Sequence, residues 1–219
     1  MKDFSSPDGY VILVDKPLYW TSFDVVKKLK FALNIKKIGH AGTLDPLATG
    51  LLILCTGKKT KEIEQYQNQP KVYEGTMVLG QTTPSYDLET KLTPAVDISS
   101  ISEQKILDTT KYFLGAISQT PPIFSAVKVN GIRAYTHARR GDDIKLKSRI
   151  VQIDSFEIVK VALPEVKFKV SCSKGTYIRS LANDFGQKLL VGAYLSQLRR
   201  TKIGVQSVDD AFSIEELTK

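Results

Sequence analysis

Hydrophobic and polar positions alternate clearly enough along the chain to predict most of its elements. Tyr10 to Val14 is a short apolar run, the pattern of a buried strand, and Asp15-Lys16-Pro17 ends it. Thr21 and Ser22 offer N-caps and Asp24 suits the first turn, so a helix is expected to about Leu33, with Asn34 as its stop. Leu51 to Thr56 is another buried strand, closed by Gly57, and Lys58 to Gln67 reads as a short polar-faced helix. From Lys71 to Leu79, Val72, Glu74, Thr76 and Val78 fall on one side and Tyr73, Gly75, Met77 and Leu79 on the other, the two-residue period of a strand. Gly80 to Val96 reads as loop. Ser100 with Glu103 forms a capping box, and Ile106, Leu107, Thr110, Phe113 and Leu114 follow at helical spacing as far as Gly115. Asn130-Gly131 after Ala126–Val129 signals a hairpin. Strand patterns at Ile150–Val161 and Val166–Cys172 meet at Leu163-Pro164. Thr176 to Leu190 reads as a helix. Gly192 to Val205 reads as a turn, a short helix around Ser196 and a strand, and Asp209 to Leu217 as a last helix. Strands and helices mix without regular β-α-β alternation, which favours an α+β fold.

Composition narrows the class. The chain has 219 residues, one large domain or a domain with a small appendage. At 42% hydrophobic and 25% charged residues it is not a disordered chain, a fibre or a membrane protein. Lys plus Arg number 31 against 23 acids, a net charge of +8 that suggests an anionic partner without identifying it. Cys55 and Cys172 are too few for a disulfide framework or a four-cysteine zinc site and are expected as buried thiols. Two histidines, His40 and His137, give no basis for a metal cluster. Met1 to Gly9 lacks a basic-then-apolar signal pattern, and runs such as Leu51 to Cys55 are too short to span a bilayer. A cytoplasmic location is the default expectation.

Three segments could carry chemistry. Gly39-His40-Ala41-Gly42-Thr43-Leu44-Asp45-Pro46-Leu47-Ala48-Thr49-Gly50 holds three glycines, a histidine and one carboxylate. Asp45-Pro46 could be a turn whose carboxylate caps local N–H groups, or Asp45 could be a nucleophile or base in a loop that lets a ligand approach closely. Neither a P-loop nor a dinucleotide fingerprint fits the spacing. Ser173 to Arg179 lies at a strand-to-helix junction, where free N–H groups favour anions and Lys174 and Arg179 add charge. Leu198-Arg199-Arg200-Thr201-Lys202 reads by itself as a solvated basic face. By pattern alone Tyr73 is core, and Lys16 and His137 are surface residues.

Taken together, these residues resemble the TruB family of bacterial tRNA pseudouridine-55 synthases. Gly39 to Gly50 resembles the family's catalytic motif. Asp15-Lys16-Pro17 with Thr21-Ser22 resembles its first motif, and Lys71-Val72-Tyr73 with Leu79-Gly80 and Asp87 its second. Pro121-Pro122, Ser125-Ala126, Lys128, Gly131 and Tyr135 resemble its inserted loop, and Ser173–Arg179 and Leu198–Arg200 its last two motifs, all collinear from about residue 10 to 205. The resemblance implies a pseudouridine synthase catalytic fold, with a mixed, mostly antiparallel sheet flanked by helices and loops. It implies isomerisation of a T-arm uridine in tRNA to its C-glycoside, with no cofactor, metal or obligatory protein partner, by a monomer.

Residue by residue, Asp45 matches the essential aspartate, attacking ribose C1′ or taking a proton from C2′. Arg179 matches the arginine that pairs with it. Tyr73 matches the tyrosine that stacks on the target base, and Tyr177 and Leu198 other walls of the uracil pocket. His40 matches the histidine that fills the space left by the flipped nucleotide, with no need to ionise. Lys16, a substrate-site residue of the motif, is expected to support the loop more than to touch the base. Lys128, Arg133, Arg139 and Arg140 of the inserted segment, residues 120–143, and Lys174 suit phosphate contacts. The guide-RNA-dependent branch of the superfamily and a non-catalytic RNA-folding module are the competing readings.

The sequence departs from the family at two positions where the resemblance implies glycine: Tyr19 stands two residues after the Lys-Pro pair, and Thr90 stands after the Asp87 loop. If the first glycine was needed for positive φ, its turn must be rebuilt. About fifteen residues follow Val205, so the expectation is a single catalytic domain, 1–219, without the C-terminal RNA-binding PUA domain.

Overall fold

The computed structural model describes Phe4, Ser6 and residues 8–219. The Met1–Gly9 stretch considered for a signal pattern lies partly outside the described residues.

In chain order the elements are β1 (Val11–Lys16), α1 (Ser22–Ala32), β2 (Ile38–Ala41), β3 (Ala48–Thr56), α2 (Ile63–Asn68), β4 (Lys71–Leu79), α3 (Glu103–Thr110), β5 (Gly115–Gln119), β6 (Lys128–Val129), β7 (Ile132–Arg133), α4 (Ala134–Arg140), β8 (Arg149–Ala162), β9 (Glu165–Cys172), α5 (Ile178–Lys188), β10 (Ala193–Ile203), β11 (Gln206–Ser207) and α6 (Ile214–Leu217). Strand pairing is mostly antiparallel, with β3 and β10 parallel, and helices flank the strands: an α+β fold. Among the described residues no helix is long and apolar enough to cross a membrane.

The chain divides into two compact units, one built from the described residues up to Glu74 with Leu198–Lys219, the other from Gly75–Gln197; β4 and β10 run from one into the other. In the first unit β3 lies between β1 and the end of β10, and β2 also pairs with β3. β3 is buried along almost its whole length, so it reads as a continuous apolar run rather than an alternating one. β1 alternates, turning Ile12, Val14 and Lys16 inward. Val25, Val26 and Leu29 of α1 pack with Ile12, Val14, Leu52 and Leu54 in the core on one side of this sheet. Thr21 caps α1 in a reciprocal box with Asp24, as the sequence predicts.

In the second unit the order is β4-β9-β8-β5. Phe113, Phe156, Phe168 and Phe185 meet there, mostly edge to face, with ring centroids 5.6–6.3 Å apart. The hairpin signal at Asn130-Gly131 is present as β6–β7, both turn residues having positive φ as a type I′ turn requires.

Several boundaries differ from the pattern. The Gly39–Gly50 loop is shorter, because β2 and β3 take both its ends. Ser102 rather than Ser100 caps α3, accepting from the Lys105 N–H. Gly115 begins β5, which was not expected, and α4 lies within the segment read as loop. Ser196 sits inside β10, with no helix: its hydroxyl bonds the Thr76 carbonyl, and strand pairing overrides the local signal. The expected Lys58–Gln67 helix is a 3₁₀ stretch leading into α2, and the Asp209–Leu217 helix is split into a 3₁₀ turn and α6. Cys55 and Cys172 are buried free thiols; burial pushes the Cys55 thiol up to about 11, so it stays protonated.

Candidate active site

The Asp45 loop lies in the first unit, between β2 and β3. β2 and β3 are hydrogen-bonded to each other from Ile38–Thr56 to Ala41–Ile53, so the loop between them leaves and returns on one rigid ladder. Asp45 is half-buried, and its carbonyl accepts from the Ala48 N–H at 3.0 Å. The Ser22 hydroxyl, at the start of α1, bonds both the N–H and the carbonyl of Leu44. Tyr19 N–H donates to the Pro46 carbonyl at 2.8 Å.

Two buried cations hold the same loop. Lys16 is fully buried, and its ammonium donates to the carbonyls of Pro17 (2.8 Å), Trp20 (2.6 Å) and Pro46 (3.5 Å). Burial pulls its pKa down to about 8, against the Asp45 charge, which pulls it the other way. Arg200 is 1% exposed; its Nε donates to the Leu51 carbonyl at 2.8 Å and an Nη to the Gly42 carbonyl at 3.0 Å. Gly50 lets β3 lie this close: it has φ +101°, and a Cβ there would fall 2.3 Å from the Arg200 carbonyl oxygen. Neither Lys16 nor Arg200 is the surface residue its local pattern suggests. Lys16 carried a legible signal, as the third inward position of the Ile12-Val14-Lys16 alternation. Arg199, next to the buried arginine, pairs bidentately with Asp15 at 2.6 and 3.0 Å.

The other candidates of this unit are His40, Tyr73 and Leu198. His40 is half-buried on β2 opposite Leu54. Burial, and then the Arg200 charge, hold its imidazole below the usual histidine range, so it is neutral at pH 7. Tyr73 is buried near the start of β4, and Leu198 pairs with Ala48 where β10 meets β3.

In the second unit, Arg179 opens α5 and is 3% exposed, not solvated as its isolated motif suggested. Its guanidinium donates to the carbonyls of Ser85 (3.1 Å) and Phe124 (3.0 Å) and lies 3.6 Å from the Asp87 carboxylate. That fan of acceptors fixes its plane. Asp87 in turn accepts at Oδ1 from the Glu89 N–H, and its carbonyl accepts from the hydroxyls of Thr83 and Ser85. The Thr90 hydroxyl bonds both the N–H and the hydroxyl of Ser85, tying the turn that presents the Ser85 carbonyl.

Tyr177 precedes α5 and is clamped from two sides. The Gln119 side chain bonds both its N–H (2.8 Å) and its carbonyl (3.1 Å), and the Arg149 guanidinium lies over its ring, 4.8 Å from the centroid. Gln119 and Arg149 face each other on β5 and β8, so one cross-strand pair places Tyr177. No local sequence signal singled out this pair. Lys174 is exposed on the turn before.

The inserted segment presents Lys128, Arg133, Arg139 and Arg140 on its exposed surface. Arg133 and Arg139 lie over the Tyr135 ring at 5.9 and 5.5 Å, and Arg139 also reaches Glu89 at 3.2 Å. His137 is not the surface residue expected: its side chain is mostly buried and bonds Asp142 at 2.8 Å.

Comparison with known proteins identifies the class. Among solved structures, a Cbf5-Nop10-Gar1 complex matches with TM-score 0.73 and 32% identity, over 95% of this chain and 53% of that one. An H/ACA RNP bound to a substrate RNA containing 2′-deoxyuridine matches with TM-score 0.72 and 29% identity, over 95% and 52%. The chain spans about half the length of those solved chains. The fold is that of the pseudouridine synthases. Residues 30–178 match the TruB family pseudouridylate synthase N-terminal domain and residues 179–219 the tRNA pseudouridylate synthase B C-terminal domain, so the chain belongs to the TruB family. It is 55% identical over 214 residues to the tRNA pseudouridine synthase B of Flavobacterium johnsoniae, covering 94% of this chain and 93% of the relative. To that of Phocaeicola vulgatus it is 49% identical over 214 residues, covering 95% and 91%.

Proposed function

We propose that this chain is a tRNA pseudouridine synthase, an isomerase that converts uridine 55 in the T-arm to pseudouridine. The observation that carries the reading is the Asp45 carboxylate on a loop that two buried cations, Lys16 and Arg200, hold to the sheet, in a chain of this family. A carboxylate suits the reaction because it is ionised at neutral pH and can leave again.

The target uridine lies inside a folded T-loop and is flipped out, at a cost of a few kcal/mol, before chemistry begins. Asp45 then attacks C1′ or takes the C2′ proton, and the N1–C1′ bond breaks. Uracil rotates and C5 bonds to C1′ as the Asp45–C1′ bond breaks or, in the other route, as Asp45 returns its proton to C2′; the C5 proton departs and N1 gains a proton, so the product has the composition of the substrate. Arg179 keeps the reacting carboxylate charged and oriented. Tyr73 stacks on the base, with Tyr177 and Leu198 as further walls. His40, neutral by virtue of its burial, fills the space the nucleotide vacates. Lys16 supports the loop. Lys128, Arg133, Arg139, Arg140 and Lys174 meet tRNA phosphates. The protein works as a monomer in the cytoplasm, without a cofactor or protein partner.

The test is tritium release from a T-arm transcript labelled at uridine C5, with purified protein alone. Stoichiometric release is expected with wild type. Its absence would overturn the reading.

A further inference from the structure

The outer face of α1 carries a groove that the chemistry above leaves unused. It encloses about 750 Å³, and its walls include Tyr19, Trp20, Asp24, Lys27, Lys28 and Phe31, all in the first unit. At 3.6 residues per turn, Phe31 points half a turn away from the Val25–Leu29 stripe that packs the core. The Phe31 side is 74% exposed and Tyr19 75% exposed. Trp20 is half-buried and packs against the core, so it is the least exposed of the three rings. Single exposed apolar residues are ordinary, but three aromatic rings gathered in one groove mark a binding surface.

The charge around the rings says what kind of partner fits. Lys27 and Lys28 flank the groove. Its one acid, Asp24, is already held by the Thr21 N–H and hydroxyl at 2.8 and 2.6 Å. Aromatic faces beside ammonium groups suit unpaired nucleotides, whose bases stack while their phosphates meet the cations. The groove also adjoins the catalytic loop, because Tyr19 bonds Pro46 and Ser22 bonds Leu44.

We propose that this groove binds an unpaired nucleotide of the RNA substrate other than the reacting uridine. Its base stacks on the Tyr19–Trp20–Phe31 surface and its phosphates lie against Lys27 and Lys28. The proposal rests on the RNA-modifying reading of Asp45.

Trp20 is the sole tryptophan of the chain, so tryptophan emission reports on the groove. The full-length Asp45→Asn protein, titrated with a T-arm hairpin RNA, should show saturable quenching of that emission. Tyr19→Gly combined with Phe31→Ala removes two rings while glycine keeps the left-handed backbone, and thermal unfolding checks the fold. This variant should bind the hairpin on the order of tenfold more weakly, with the loss in KM rather than in kcat when Asp45 is intact. Lys27→Gln with Lys28→Gln should lower the salt dependence of binding by up to about two phosphate contacts. Unchanged emission, affinity and salt slope, with the hairpin still isomerised, would overturn the groove and leave the enzyme reading standing. If the hairpin is not isomerised but a single-stranded oligouridylate quenches Trp20 in a Phe31-dependent way, the groove stands and the enzyme reading falls. Quenching by neither RNA overturns the groove.

Discussion

The Gly39–Gly50 segment and the 120–143 segment are both attended by basic side chains, and they use them in opposite ways. Around Asp45 the cations are buried and point at backbone: Lys16 at three carbonyls, Arg200 at two. In the inserted segment the arginines stay exposed over the Tyr135 ring or reach Glu89. A buried cation must find acceptors or carry a large desolvation penalty, so it locks whatever backbone it reaches. An exposed cation keeps its hydration and can exchange it for a phosphate. The same residue types therefore build rigidity in one place and stay open to solvent in the other.

Substitutions can break this contrast. The largest effect belongs to the carboxylate that the rigid loop carries: Asp45→Asn should abolish tritium release, while filter binding shows tRNA affinity largely intact. Residual turnover above background would remove Asp45 from its role. Next comes the lock itself. Arg200→Met should leave the Leu51 and Gly42 carbonyls without their donor and destabilise the fold by roughly 3 kcal/mol in chemical denaturation.

The matching change in the inserted segment, Arg139→Glu with Arg140→Glu, should leave the unfolding midpoint nearly unmoved. It should instead weaken tRNA binding roughly tenfold and flatten its salt dependence. If those reversals destabilised the fold as much as Arg200→Met, the contrast would fail.

Lys16 gives a pH test. Its folded pKa, about 8, lies below the ordinary lysine value of 10.5. Between those values the native protein has released this proton and the unfolded chain still holds it. This group therefore makes stability rise with pH from about 8 to 10.5 and contributes no slope below about 7. Lys16→Met should remove that rise in denaturation curves taken across the range. A Lys16→Met slope equal to that of wild type would place the titration elsewhere.

The smallest effect concerns Tyr19. It sits at a positive φ itself, at 67°. A non-glycine residue in this region costs on the order of 1 kcal/mol, and glycine costs a similar amount in chain entropy. Tyr19→Gly should thus shift stability by less than about 0.5 kcal/mol. Tyr19→Val should be clearly destabilising, since a β-branched side chain tolerates this backbone poorly.

Elements governed by local signals were readable from the chain. The Thr21–Asp24 box set α1, the Asn130-Gly131 pair set its hairpin, and the two-residue period set β4. Glycine punctuation misled at Gly39–Gly50, because pairing of β2 with β3 took both ends of the expected loop. Among the candidate site residues, Asp45 and Arg179 stood out by motif. Gln119 and Arg149 did not, since their role depends on a cross-strand pairing and on a residue 58 or fewer positions away along the chain.

By itself the sequence determined most of the elements, because capping, turn and periodicity effects act within a few residues, and it marked out the candidate site residues by motif. Only the tertiary structure decided which charges serve the backbone and which remain on the surface. Arg200 and Arg140 look alike in sequence, and the strand alternation that turns Lys16 inward does not say which carbonyls receive it. The partners lie far along the chain: Arg200 meets Leu51 across 149 positions and Lys16 meets Pro46 across 30. Burial of an ion is settled by whether such distant carbonyls converge on it, and that convergence exists only in the folded chain.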